Sequence, residues 1–419
     1  MKIKKAMHKL LRILSVLILM IFSMTFFPQT VQASNEIAAS IIPASVNSIV
    51  IQNFLILDAT AYVPNAKISF AILPLAAAEI NDSTVHATKS VGSESISVKG
   101  TPRMGYASFS SNQDTYTAVQ QSAVGLAGNT QMLNDNVTLM TGEKYAKAEV
   151  KIDLSKVKFY EPGIYRYAVS EAEISDSSIT AESDEQKYLD IYVVSNNEND
   201  ALAVSGYLLK DQTDEGLSKT AGFVNVYTAY DLTVKNTVSG NQSRDDQYFN
   251  YVIKLVGCTP NNQYDITTIS TYADLSANAT KLTVKSDGTA IGVVWLKAGE
   301  TFTVYGMPAN TVYYTYVDEA TLKETGYTSK LTYIGQSPSG KQRQVQAKSI
   351  SISEDSNSTV SHTLVATTNL IINNDKAGVI PTGIILKTAP YAAICAVGTV
   401  GLILFALMRR KKEHQETEQ

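Results

Sequence analysis

Two glutamates stand where a carboxylate is unusual. Tyr165, Tyr167, Val169 and Glu171 alternate along one run, and Tyr313, Thr315, Val317 and Glu319 repeat the pattern. Side chains alternate across a strand, so each set of four points one way. Three mostly apolar residues thus lead to a carboxyl. Burying a carboxylate costs roughly several kcal/mol unless it is paired or protonated. A buried, neutral Glu can shuttle protons; the alternative is a surface Glu just beyond the strand end. Two other sets close an apolar face with a carboxamide: Ile49, Ile51, Asn53 and Leu232, Val234, Asn236. Other reactive groups are sparse. Away from the termini only His86 and His362 occur, and Cys258 has no His near it in sequence. No phosphate loop appears. An enzyme, a cofactor and a metal site are therefore not expected.

These residues need strands to position them. Hydrophobic residues make up 44% of the 419, enough for real cores, and only 18% are charged. Tyr, Ser, Thr, Asn and Val are plentiful, a palette that favours strands over helices. Between residues 34 and 378 there is no long amphipathic helix. Short alternating runs are separated by Asn, Asp, Gly, Ser and Pro clusters, the pattern of antiparallel β-sandwiches. Both late strands follow a Pro-containing turn, Pro162-Gly163 and Pro308-Ala309-Asn310. The opening and late strands recur in order, so two like domains are expected. They join near Thr228–Leu232: residues 34–228 and 229–378. The fold class expected is all-β, two tandem immunoglobulin-like sandwiches, with a signal peptide before them and a transmembrane helix after.

The termini carry addresses. Lys2, Lys4, Lys5, Lys9 and Arg12 precede an apolar run from Ile13 to Phe27, and Val31-Gln32-Ala33 offers small residues for cleavage. Residues 1–33 read as a signal peptide. Tyr391 to Met408 is an unbroken apolar stretch, just long enough to span a bilayer. Arg409-Arg410-Lys411-Lys412 follows at once and marks the cytoplasmic side. The span is assigned to residues 384–408 and the basic tail to 409–419. The whole chain carries 35 bases and 39 acids. Five bases lie in residues 1–33; five bases and three acids lie in residues 383–419. The middle keeps 25 bases and 36 acids, a net of -11. That excess of acids argues against a nucleic-acid partner. Cys395 lies in the span, so Cys258 remains alone and no disulfide forms within the exported part; it reads as a small buried residue.

Before the span stands Val379-Ile380-Pro381-Thr382-Gly383. With the span and basic tail it resembles a Gram-positive cell-wall sorting signal of the pilus class. The resemblance implies that a sortase cuts between Thr382 and Gly383 and joins the Thr carbonyl to an amine. Lys151 to Glu171, Leu296 to Glu300, Gly306-Met307-Pro308, Tyr313 to Glu319 and Leu232 to Gly240 closely resemble the streptococcal backbone pilins with isopeptide-linkage domains. The likeness covers nearly all of residues 45–383. It implies, in each domain, an amide between a Lys on the first strand and an Asn on the last, assisted by a Glu. By position the Glu residues are Glu171 and Glu319, and the Asn residues are Asn225 and Asn374. The Lys positions hold Asn53 and Asn236, which have no nucleophilic amine. Lys235 falls on the opposite face, and Lys67 on a later strand. The expected state keeps the fold and loses the cross-link, with Asn53 bonded to Glu171 or Asn225.

The resemblance also implies a surface Lys that accepts the Thr of the next subunit. Lys219 is the best match and Lys210 the runner-up. The chain is thus read as a wall-anchored surface protein resembling a pilus backbone subunit, structural or adhesive. Its partners would be a sortase, peptidoglycan or neighbouring subunits, and host surface ligands. The alternative is a non-polymerising adhesin or stalk that uses the same fold.

Overall fold

The computed structural model describes residues 46–126, 128–181, 186–195, 202–213, 216–336 and 361–378. The expected signal peptide, sorting motif, span and basic tail lie outside them. Among the described residues no helix is long and apolar enough to cross a membrane.

The chain is mostly strand. In the first half, β1 (Ser48–Asp58), β2 (Ala66–Pro74) and β3 (Tyr106–Phe109) precede a hairpin, β4 (Gln121–Val124) and β5 (Gln131–Asn134). Then come β6 (Glu143–Asp153), β7 (Gly163–Ile174), β8 (Ile179–Ala181) and β9 (Lys187–Ser195). β10 (Leu202–Thr213), β11 (Gly216–Thr220) and β12 (Gly222–Tyr227) complete this half. One sheet runs β8-β12-β1-β6; the other runs β11-β10-β9-β7-β2-β3. Their inner residues form one core: Ile51, Leu55, Val150 and Ile152 from the first, Ile68, Tyr165, Tyr167 and Leu189 from the second. Alternation along β6 turns Ala146, Ala148, Val150 and Ile152 inward, as a two-residue period requires. The outer face of β1 and β6 is not left to water. Phe54, Ile56 and Tyr145 pack with Val124 and Val137 from the hairpin region, a small third layer.

The second half begins without a gap. β13 (Ala229–Ser239), β14 (Phe249–Val256), β15 (Gln263–Ile269) and β16 (Lys281–Thr283) are followed by β17 (Ala290–Leu296) and β18 (Thr301–Pro308). β19 (Val312–Val317), the short helix α1 (Glu319–Thr325), β20 (Thr328–Gln336) and β21 (Thr368–Asp375) end it. One sheet runs β16-β15-β18-β13-β21-β20 and the other β17-β14-β19, with His362–Thr363 at its edge. Val234, Phe302, Leu370 and Ile372 from the first meet Tyr251, Ile253, Val294 and Tyr313 from the second. The two cores are separate: Ala229 belongs to one and Tyr230 to the other.

Both halves share one topological device. The first strand lies parallel to the last: β1 beside β12, and β13 beside β21. The register is the same in both. Asn53 pairs with Phe223, two before Asn225; Asn236 pairs with Ile372, two before Asn374. Close approach is needed for this. A Cβ on Gly222 would stand 1.9 Å from the carbonyl oxygen of Gln52.

Candidate functional site

In the first half the register brings three polar side chains together. Asn53 and Asn225 are both fully buried, at 0% exposure. They sit on the inner face of one sheet. Glu171 comes from β7 of the opposite sheet, at a bulge where the pairing with β2 shifts between Glu171 and Glu173. Bulges re-aim side chains. The Glu171 Oε1 oxygen accepts from Asn53 Nδ2 at 2.9 Å and from Asn225 Nδ2 at 2.8 Å. Asn225 Nδ2 also lies 3.4 Å from Asn53 Oδ1. The Oδ1 of Asn225 is buried without a hydrogen-bond partner. The trio bridges the two sheets through the core, tying the first strand, the last strand and the late strand. It holds two carboxamides and an acceptor oxygen. The amine that an amide-forming step needs is absent from position 53.

The second half is built differently, and here the sequence reading needs correction. Asn236 and Asn374 are again fully buried, and Asn374 Nδ2 donates to Asn236 Oδ1 at 3.0 Å. Glu319 does not join them. The strand ends at Val317, Asp318 caps the next turn by accepting from the amides of Ala320 and Thr321, and Glu319 is the first residue of α1. Its side chain is 75% exposed and lies 3.5 Å from Lys323. An Asp N-cap stops the strand before the alternation reaches the carboxyl. The third group is Tyr251 of β14, whose hydroxyl accepts from Asn374 Nδ2 at 2.8 Å. Tyr251 is fully buried, and burial pushes its phenol far above the ordinary tyrosine range. It therefore stays neutral and cannot supply a carboxyl. Asn236 Nδ2 turns to the carbonyl of Leu296 at 3.3 Å. Asn374 Oδ1, like that of Asn225, is buried without a hydrogen-bond partner.

Tyr251 escaped the sequence reading because Phe249, Tyr251, Ile253 and Leu255 look like an ordinary core face. Glu300 escaped it too. Its carboxylate accepts from Thr271 N at 2.7 Å, Thr271 Oγ1 at 2.7 Å, Ser270 Oγ at 3.0 Å and Lys297 N at 2.9 Å. Burial alone would raise its pKa, but these donors outweigh burial and hold it below the usual carboxylate range. Its backbone oxygen accepts from Asn236 N at 3.0 Å. Glu300 thus braces the strand that carries Asn236.

The lysines fall where alternation sends them. Lys67 and Lys235 are exposed, and Lys67 Nζ lies 4.7 Å over the Tyr106 ring. Lys219 is exposed on the edge strand β11, with Nζ 3.3 Å from Gln131 Oε1. Lys210 is engaged: its Nζ lies 2.7 Å from Asp190, which Arg166 also grips through two nitrogens at 2.6 and 2.8 Å. Cys258 is free and buried, and burial pushes its thiol up, which keeps it unreactive. Val379, Ile380, Pro381, Thr382 and Gly383 lie outside the described residues.

In sequence the chain resembles streptococcal pilins. A curated pilin of Streptococcus pyogenes serotype M1 is 25% identical over 288 residues, which is 67% of this chain and 78% of the relative. Residues 230–369 match a family model described as a domain of unknown function, DUF7601. The crystal structure of the major pilin from Streptococcus pyogenes aligns with 79% of this chain and 99% of that one, at 16% identity and a TM-score of 0.44. A pilus-presented adhesin aligns with 46% of this chain and 37% of its own, at 21% identity and a TM-score of 0.24.

Proposed function

We propose that this chain is an exported, wall-anchored surface protein, structural or adhesive rather than catalytic, built as two tandem immunoglobulin-like domains on the pilin plan. The observation that carries the proposal is the sequence relation to the streptococcal pilin, which spans both halves of the chain. The parallel pairing of first and last strands, with an Asn pair at one offset in each half, supports it. In this reading the two sandwiches keep the pilin plan without its covalent link. Hydrogen bonds among Asn53, Glu171 and Asn225 stand in for the amide in one domain, and those among Asn236, Asn374 and Tyr251 in the other. The sequence Val379–Gly383 would be cut by a sortase between Thr382 and Gly383. The Thr carbonyl would then pass to peptidoglycan or to Lys219 of a neighbouring subunit. Lys219 suits that role better than Lys210 because it is exposed on an edge strand and Lys210 is held in an ion pair.

A second reading, a non-polymerising adhesin or stalk, is favoured by one observation: the Lys positions hold Asn in both domains. A shaft under tension benefits most from a covalent tie between terminal strands. Wall extracts separated on denaturing gels decide between the two. A ladder of covalent multimers that disappears in Lys219→Arg supports polymerisation. A single wall-linked species supports the stalk.

A further inference from the structure

The two domains meet through a set of contacts that a flexible linker would not need. The chain passes from β12 to β13 with one residue, Thr228, between them. A single covalent crossing is a swivel, and each further attachment removes rotational freedom. Here the loop after β1 reaches across to the second domain. Asn65 donates both its backbone N and its Nδ2 to Asn262 Oδ1, each at 2.8 Å, and Asn262 is 2% exposed. Tyr62 OH donates to Asp265 Oδ1 at 3.0 Å. The Lys281 ammonium sits 4.7 Å over the Tyr62 ring and 4.0 Å from Asp265. Gly306, at φ +65°, approaches Ala61 so closely that a Cβ would stand 2.6 Å from its Cα.

A separate loop makes a further attachment. Ser178 precedes β8, and its carbonyl accepts from Thr228 N at 2.8 Å, at the crossing itself. Its hydroxyl donates to the carbonyl of Ala309 in the second domain at 3.2 Å, and Ala309 N returns to the carbonyl of Thr228 at 3.1 Å. The joint thus has one covalent and two non-covalent attachments, drawn from loops more than a hundred residues apart. The contacts run in pairs, Asn with Asn, Tyr with Asp and Ser with backbone, although Asn262 Nδ2 is buried without a hydrogen-bond partner. Asn262 and Ser178 are buried at the joint, and buried polar groups that find these partners only in one arrangement favour that arrangement.

We propose that this joint is a lock that makes the two domains one rigid strut, so that load passes along the chain without a hinge between them. The inference rests on the joint alone and holds whether or not the protein polymerises. The test is the distance distribution between spin labels at Ser110→Cys and Ser286→Cys, both exposed sites in different domains, in the full-length protein in detergent. The protein with an intact joint should give one narrow distribution. Tyr62→Phe with Asn65→Ala should at least double its width, and Ser178→Ala added to these should widen it further, while circular dichroism stays unchanged. A broad distribution with the joint intact, or a triple variant as narrow as the intact joint, would overturn the lock. The first of these outcomes needs no joint variant and so does not depend on their folding.

Discussion

The Asn53–Glu171–Asn225 trio places two fully buried carboxamide donors on one carboxylate oxygen of the half-buried Glu171. Removing the acceptor strands the Asn53 amide and leaves Asn225 only its 3.4 Å contact to Asn53 Oδ1. Glu171→Ala should therefore cost roughly 1–3 kcal/mol for the stranded group, seen as a lower urea midpoint for the first domain. Supplying an amine should do something else. Asn53→Lys would put a nucleophile beside Asn225 and a carboxyl that can relay its proton, so this variant should lose one ammonia, about 17 Da. Adding Glu171→Ala should restore the unmodified mass. Asn236→Lys should show no loss, because the neighbouring group is the Tyr251 phenol and Glu319 lies on an exposed helix. Ammonia loss from Asn236→Lys would contradict that assignment. At this scale the sequence was legible where alternation holds. Asn53 and Glu171 could be placed on inward faces by counting in twos, whereas Asn225 came from the position that the resemblance implied. Glu319 could not, because counting ran through Asp318, whose capping ends the strand. The helix start at Asp318 and its stop at Gly326, φ +72°, were both visible in principle.

Among the elements, the parallel pairing of first and last strands carries most of the design. Gly222 lets β12 approach β1, and any Cβ there meets the Gln52 carbonyl. Gly222→Ala should destabilise the first domain by about 1–3 kcal/mol through overpacking, with the second domain's melting unchanged. In the second domain Glu300 braces β13. Its folded pKa is depressed, so its contribution is fully present above the unfolded carboxylate value, about 4.3. That contribution is lost as pH falls through the lower folded value. Acid should thus weaken the second domain, and Glu300→Gln should lower its stability at neutral pH while flattening the acid slope. Melting curves from pH 3 to 7 measure both, and an unchanged slope in the variant would remove Glu300 from the account. The strands and their two-fold repeat were readable because each face is a run of alternating apolar residues. The third layer over Phe54, Ile56 and Tyr145 was not, since its hairpin is short and half-exposed, and only tertiary contact gives it a role.

For the whole molecule, the proposal of two cores held without cross-links predicts ordinary domains, each with about 5–15 kcal/mol of stability. The protein should unfold reversibly at moderate temperature and be cut by trypsin once unfolded. Anchoring is a separate matter: Thr382→Ala should leave the chain in the membrane fraction, and recovery of that variant with peptidoglycan would remove the sorting motif from the account. The joint between domains was beyond the reach of sequence, because Asn65 and Asn262 meet across nearly two hundred residues with no pattern linking them. The most direct test of the account is the mass of the peptides that carry Asn225 and Asn374 in the purified full-length chain. Hydrogen-bonded Asn225 and Asn374 predict both peptides at their unmodified masses and free of any attached lysine peptide. A deficit of about 17 Da, with either Asn found joined to a lysine, would contradict it.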